Sequence, residues 1–482
     1  MLAPEADVSE SARPQEILVG GTWTRRLPFI EVRNPFDGQL AALISSGTAE
    51  DVREAVEGAV ASLAIDFPSH ARYDVLHRAA ARIETEAEQY ARDIAAEGSK
   101  TIREARREPP RAANLLRLAA EEGRRITGAT LPFDSRAGSE NRTGYYFRVP
   151  AGVVAAITPF NDPLAVAAHK VGPALAAGNA VVLKPSLATP LSALRLVRNL
   201  MEAGLPAGRL SVITGPDLEV GQTLVTDPRV RVVSFTGGLA TGEWIARSVG
   251  IKKLLMELGS NSPVIVMADA DLERAVPAIT AGAFAQAGQN CIGVQRVLIH
   301  RDIYSEFATR FLEKVATLKT GCSRDETTDV CVMINESQAK RVEEWNAEAI
   351  ANGARVLAGG VRRGALFEPT VLEHVPFGVR LDRAEVYAPV VSLYCVDSLD
   401  HAIEVANSVG YGIHAAIFTE SLRDAFTAIR RLDVGGVMVN DSTDYRLDVM
   451  PFGGPKMSGI GREGIRFAIE EMTETRVVCF NL

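Results

Sequence analysis

Beyond residue 151 the chain alternates short apolar, β-prone runs with amphipathic helical stretches, and this rhythm limits the fold more than any other property of the sequence. Residues 152–157, 180–183, 210–213, 230–235 and 263–267 read as buried strands, with helices over 164–177 and 190–203 between them. Thr189 before Pro190 supplies a cap hydroxyl and then a proline at a first helical position. The rhythm restarts after residue 290. Residues 294–300, 390–394, 415–418 and 436–439 read as strands, with helices near 302–318, 335–352, 398–408 and 420–431. Strands alternating with helices form βαβ units, whose strands lie parallel under helical layers. The expectation is an α/β chain with two doubly wound parallel-sheet lobes.

Two further regions frame this pattern. Residues 48–128 are rich in Ala, Glu and Arg at helical spacing, broken at Pro68 and at Pro109-Pro110. Residues 129–150 carry turn formers and then an extended Tyr145-Tyr146-Phe147 run, and the β-branched stretch 475–480 reads as a terminal strand. An exposed strand edge needs a partner, within the chain or on another subunit. A small β element that joins a homodimer or homotetramer is therefore expected.

Composition removes several function classes. The 482 residues carry 52 basic and 60 acidic side chains, a net charge of −8, without the basic stripe that nucleic-acid binding needs. No apolar run approaches the roughly 18 residues of a membrane span. The first residues are acidic and lack the apolar core of a secretion signal. Five cysteines without a CxxC pair do not form a disulfide framework or a metal cluster. A cytoplasmic enzyme without a metal, acting on a small molecule, is the expectation.

Three segments could carry chemistry. Cys291, in Gly288-Gln289-Asn290-Cys291-Ile292-Gly293, lies between glycines at a break between helix and strand. A lone cysteine is more often a small buried hydrophobe, and Cys322, Cys331, Cys395 and Cys479 are read that way. An irregular, glycine-flanked setting instead suits a thiol that a ligand must approach. Glu257, between Leu254-Leu255-Met256 and Leu258, is either a surface carboxylate at a strand end or a base whose pKa apolar neighbours raise. Asn161 follows a buried strand and opens a helix, so it is either a helix cap or an amide donor to a developing oxyanion.

Taken together, these segments resemble the aldehyde dehydrogenase superfamily. Its marks occur in order: Pro159-Phe160-Asn161, Lys184-Pro185, Phe235-Thr236-Gly237-Gly238, Glu257-Leu258-Gly259 and Gly288-Gln289-Asn290-Cys291. Glu385-Val386-Tyr387-Ala388-Pro389 and the stretch from Pro451-Phe452-Gly453-Gly454 to Gly461-Arg462-Glu463 continue the likeness. The resemblance implies two Rossmann-type lobes plus a small β oligomerisation element. Residues 1–128 and 149–256 would bind NAD, 257–450 would carry Cys291, and 129–148 with 465–482 would supply the oligomerisation strands. It also implies Cys291 as nucleophile, Asn161 as oxyanion donor and Glu257 as the base for thioester hydrolysis. Lys184, Ser186, Thr236, Gly237, Gly238, Glu385, Tyr387 and Phe160 would hold the cofactor. Leu187 replaces the carboxylate usual three residues after the lysine, so NAD is expected with NADP compatible, and Gly238 replaces a common serine. A CoA-acylating relative would lack Glu257, and a fold retained without activity would not keep Asn161, Glu257 and Cys291 together.

The substrate expectation rests on the same likeness. Two positions seven residues apart, on one helix face, are usually aromatic in the family and here are Asp162 and His169. Arg111 and Arg446 match positions that bind phosphate in non-phosphorylating glyceraldehyde-3-phosphate dehydrogenases, although either could be a solvated side chain, and Asn290 adjoins the thiol. Arginine forks suit phosphoryl oxygens, and a protonated His169 would add a donor, with Asp162 keeping it charged. The branch that contains lactaldehyde and phosphonoacetaldehyde dehydrogenases is the most similar. The sequence thus predicts a short anionic aldehyde, phosphonoacetaldehyde oxidised to phosphonoacetate first, then glyceraldehyde 3-phosphate and lactaldehyde.

Overall fold

The computed structural model describes residues 14–482. Its first sheet has the strand order Thr22–Thr24, Ile17–Val19, Leu210–Val212, Ala180–Lys184, Val153–Ile157, Val230–Thr236, Lys253–Glu257 and Gly459–Ile460. The five central strands are parallel, Ile17–Val19 and Gly459–Ile460 flank them antiparallel, and Thr22–Thr24 pairs antiparallel with Ile17–Val19. Ala180–Lys184 is buried at every position, as expected of a strand covered on both faces. Three of these strands fall outside the expected pattern. Ile17–Val19 and Thr22–Thr24 are three residues long, too short for a period to register, and Gly459–Ile460 lies in a glycine-rich stretch.

The second sheet runs Arg355–Ala358, Thr370–Glu373, Val390–Val396, Val294–His300, Ser262–Val266, His414–Phe418 and Gly436–Val439. All neighbours in it are parallel except the edge strand Arg355–Ala358. The two segments expected to form oligomerisation strands pair with each other: Thr473–Asn481 lies antiparallel to Arg142–Pro150 over nine residue pairs. Thr473–Asn481 is the open edge of that sheet, with Val477 and Phe480 exposed.

One helix organises the first lobe around the site. Pro163–Ala176 is buried along its whole length and packs against Glu108–Gly123. Its N-terminus is not capped by Asn161 or Asp162. Glu108, from the neighbouring helix, accepts the N–H groups of Leu164 and Ala165, both at 2.8 Å, which satisfies donors that a helix start leaves open. The Thr189 hydroxyl likewise does not cap its helix. It donates to the Phe160 carbonyl at 3.2 Å, while Glu97 accepts the Leu191 N–H at 2.9 Å. In both cases a carboxylate remote in sequence supplies the cap that a local hydroxyl or amide was expected to supply.

Candidate active site

The thiol sits where the backbone reverses. After the helix Leu272–Phe284 the chain passes through Gln286, Ala287 and Gly288, all at positive φ (55°, 53° and 66°). Two consecutive non-glycine residues in that region cost on the order of 1–3 kcal/mol each, and the surroundings hold them there. The Gln286 N–H donates to Glu104 at 2.8 Å and its carboxamide to Asp162 at 3.2 Å. A methyl on Gly288 would overlap the Ala388 carbonyl, so only glycine fits. The Asn290 carboxamide oxygen accepts the Ile292 N–H at 3.2 Å. The structure thus uses Asn290 to close the turn, and Asn290 is not among the residues that line the cavity.

Cys291, Asn161 and Glu257 line a single cavity of about 820 Å³. No hydrogen bond among the described residues engages the Asn161 carboxamide, because Glu108 does the capping. Asn161 is therefore free to meet a ligand oxygen. Glu257 ends the strand Lys253–Glu257 and is buried, with Oε2 lacking any partner. Burial pushes its carboxyl well above the usual range, and the nearby Glu463 adds to this, against the opposing charges of Arg446 and Lys170. Gly453 keeps the space in front of it open, since a methyl there would come within 2.6 Å of Oε1. Burial also pushes the Cys291 thiol up, Arg446 opposes that shift, and Glu385 and Glu257 reinforce it.

Every residue expected at the cofactor lines the same cavity: Phe160, Lys184, Ser186, Thr236, Gly237, Gly238, Glu385 and Tyr387, with Leu187. Gly238 opens the ten-residue helix Leu239–Ser248 without a side-chain cap, and a methyl added there would meet nothing within 4 Å. Free N–H groups facing open space suit an anion such as a pyrophosphate. Lys184 is buried, with its ammonium against Asp217. Glu385 accepts the Ser260 N–H at 2.9 Å, and burial lifts its carboxyl to about 8. The rings of Phe160 and Tyr387 stand perpendicular, with centroids 5.9 Å apart. This cleft has the groups a dinucleotide requires.

The substrate wall departs from the sequence expectation. Arg111 and His169, both expected at the substrate, are not among the residues that line the cavity. Arg111 is drawn away by donating through Nε and Nη2 to Asp448, at 3.1 and 2.9 Å. Arg446 lies 3.5 Å above the Phe452 ring and donates to Glu463 at 3.1 Å, yet its Nε is buried without a partner. Asp162 does not keep His169 charged. Burial would raise the Asp162 carboxyl, but Lys100 and Arg111 hold it at about 2, and it is bonded to Lys100. His169 lies 3.0 Å from Asp448 instead, and burial followed by the charge of Arg446 lowers its pKa, so it is neutral and adds no third cationic donor. Lys100, Glu108, Lys170, Asp448 and Glu463 complete this network. Lys170, Asp448 and Glu463 lie in segments that the resemblance touched, Lys100 and Glu108 do not, and nothing local in the sequence connects Lys100 to Asp162.

The sequence matches the aldehyde dehydrogenase family over residues 23–478. It is 48% identical over 459 residues to aspartate-semialdehyde dehydrogenase 1 of Pseudomonas canavaninivorans, covering 94% of this chain and 97% of that protein. It is 45% identical over 466 residues to 3-sulfolactaldehyde dehydrogenase of Priestia aryabhattai, covering 97% and 98%. The crystal structure of NADP-dependent glyceraldehyde-3-phosphate dehydrogenase from Bacillus halodurans, complexed with NADP, superposes with a TM-score of 0.94 at 34% identity, covering 98% of this chain and 100% of that one.

Proposed function

The chain belongs to the aldehyde dehydrogenase family, and from that premise we propose that it oxidises a short aldehyde with a singly charged oxyanion head group to its carboxylate, using a nicotinamide dinucleotide. The observation that carries this reading is the shared cavity, which Cys291, Asn161 and Glu257 line together with the cofactor-cleft residues and Arg446.

Cys291, once deprotonated, adds to the aldehyde carbon. The two anions Cys291 and Glu257 disfavour each other, so a thiolate is best tolerated with Glu257 protonated, and Glu257 is the group suited to take the proton. The amide of Asn161 donates to the oxygen that becomes negative in the thiohemiacetal, and such a donor is worth roughly 3–4 kcal/mol in the transition state. Phe160, Glu385 and Tyr387 would hold a nicotinamide nucleotide beside that carbon, and the bound group would supply the hydride acceptor. Glu257, ionised again, removes a proton from water, which attacks the resulting thioester and releases the acid and the thiol.

The relatives named above act on aldehydes whose remote ends carry a carboxylate, a sulfonate or a phosphate. Behind the cavity Arg111 already meets Asp448, and on its wall Arg446 meets Glu463 while keeping Nε without a partner. One charged donor is therefore left for a single oxyanion, and a second negative charge finds no further cation. This favours a sulfonate or carboxylate head over the phosphonate predicted from sequence. The test is kcat/KM for 3-sulfolactaldehyde, aspartate semialdehyde, phosphonoacetaldehyde and propanal, in wild type and Arg446→Met. Wild type should prefer the singly charged aldehydes, and Arg446→Met should lose about 10–100-fold on them while sparing propanal, as expected for a charge-assisted hydrogen bond. Equal use of propanal by wild type would overturn the anionic reading, and preference for phosphonoacetaldehyde would restore the dianion.

A further inference from the structure

A second cavity, of about 540 Å³, shares no residue with the catalytic one. Its volume falls within the roughly 300–1,000 Å³ of small-ligand sites. Three arginines from separate parts of the chain face it: Arg72 on the helix Ser69–Thr85, Arg209 just before the strand Leu210–Val212, and Arg476 on the terminal strand Thr473–Asn481.

Among the described residues, the arginines here meet no carboxylate. Arg209 is 3% exposed and donates to the carbonyls of Gly178 at 2.8 Å and Ile65 at 2.7 Å. Arg72 donates to the Phe67 carbonyl at 3.0 Å. The Nε atoms of both are buried without a partner. Among the described residues none of the three arginines forms an ion pair, although Asp66 lies on the same rim. Burial and the neighbouring charge of Arg209 lower the Arg72 pKa, the signature of two like charges drawn together. A guanidinium cannot shed its proton to relieve this. A buried charge without a counter-charge is strongly unfavourable, and the remedy this cavity offers is an anion.

We propose that the cavity formed by Arg72, Arg209 and Arg476 is a second ligand site, distinct from the catalytic cavity, that takes a phosphoryl oxyanion, either free phosphate or the phosphate of a small monoester. Guanidinium forks match phosphoryl oxygens in geometry and charge, and three of them around one space suit a group that carries more than one negative charge. Gly178, at φ +89°, lets Arg72 lie against the backbone, because a methyl there would come 2.9 Å from its Nη1. The location also links this site to the first lobe's working parts. Gly152 opens the strand Val153–Ile157, which leads to Asn161, and Gly178 follows the helix Pro163–Ala176, which starts beyond Asn161. That helix is 14 residues, about 21 Å long, so the anion would sit at its far end from the thiol.

The test is calorimetric titration of inorganic phosphate and of glycerol 2-phosphate into the full-length protein in its natural assembly, for wild type, Arg446→Met, Arg72→Gln and Arg476→Gln. Arg446→Met removes the cation at the substrate end of the catalytic cavity and saturating NAD fills its cofactor end, so a phosphate-binding event that persists in this variant with NAD bound belongs elsewhere. That event should weaken at least tenfold in Arg72→Gln and in Arg476→Gln, with NAD affinity unchanged in both. Arg476 is exposed on an edge strand, so its replacement keeps the test sound even if Arg72→Gln folds poorly. No event surviving in Arg446→Met, or one indifferent to both glutamine variants, overturns the proposal. So does a change of oligomeric state in those variants without phosphate binding, which would assign the arginines to a carboxylate of a second copy.

Discussion

The two walls of the catalytic cavity differ in how completely their polar groups are satisfied. On the chemical wall, Glu257 Oε2 has no partner, and among the described residues neither the Asn161 carboxamide nor the Cys291 thiol makes a hydrogen bond. On the substrate wall Asp162, Arg446 and Glu463 line the cavity, and in the layer directly behind them nearly every charge meets its opposite: Arg111 with Asp448, Arg446 and Lys170 with Glu463, Lys100 with Asp162 and Glu108. A group left unsatisfied in a dry site is held at high energy and has its pKa displaced, which is what a nucleophile and a base require. A paired charge is held in place and neutralised, so it reads shape and hydrogen bonding more than net charge. Reactivity on one wall and discrimination on the other follow from this contrast.

The chemical wall predicts the largest effects. Cys291→Ala removes the only thiol in the cavity and should lower aldehyde oxidation by at least about four orders of magnitude, while dinucleotide affinity stays as in wild type. Turnover retained at even a hundredth of the wild-type rate would mean that another group forms the covalent intermediate. Glu257→Gln should slow kcat by about 10²–10⁴-fold and let an acyl-enzyme accumulate, visible as added mass on the intact protein. The pH dependence carries a sign. Glu257 must be ionised to take a proton from water, and its pKa is raised. Deacylation therefore falls as pH drops through that raised value and is restored above it, and this limb should vanish in Glu257→Gln. A pH profile of the same shape in both proteins would remove Glu257 as the base.

These two predictions could be framed from the sequence, and the reason is local. Glu257 closes an apolar strand, and Cys291 sits between glycines that the tight turn demands, so the environment of each is written within a few residues of it. The two parallel-sheet lobes were legible for the same reason, since periodicity along a strand or helix is a local signal. The substrate wall was not. Asp162 is held by Lys100 and His169 by Asp448, pairs that only the packing of Pro163–Ala176 against Glu108–Gly123 and the loop before Pro451 brings together. Read without those partners, Asp162 looked like the counter-ion of a charged histidine. Burial makes the histidine neutral instead.

Asp448→Asn sharpens the contrast between the walls. It keeps a hydrogen-bond acceptor for Arg111 and His169 but removes the charge that neutralises Arg111. The cavity should then accept a doubly charged head more readily, moving the kcat/KM ratio of phosphonoacetaldehyde to 3-sulfolactaldehyde upward by about tenfold, near the energy of one partly buried ion pair. An unchanged ratio would mean that the carboxylates on this wall do not screen the arginines, and the reading of a singly charged substrate would lose its basis.

The smallest effect concerns the cofactor end of the cavity, where the contrast between paired and unpaired charge recurs in a weaker form. Lys184 is a buried cation lining the cofactor cleft, and Asp217 already sits against it. Leu187 lacks the carboxylate that would otherwise bond the ribose. We therefore expect NAD to be preferred, through Asp217 more than through position 187. Because Asp217 is largely exposed, the pair is worth only about 0.2–1 kcal/mol, and Asp217→Asn should raise NADP affinity relative to NAD by no more than about fivefold. Trp244 lines the same cleft, so quenching of its fluorescence gives both dissociation constants without turnover. The salt dependence separates the cause. If the charge of Asp217 is responsible, the difference between wild type and Asp217→Asn shrinks as ionic strength rises. A difference that persists at high salt would point to the shape of the ribose pocket at Leu187, and one that is absent at low salt would show that Lys184 turns from Asp217 to the phosphate without cost.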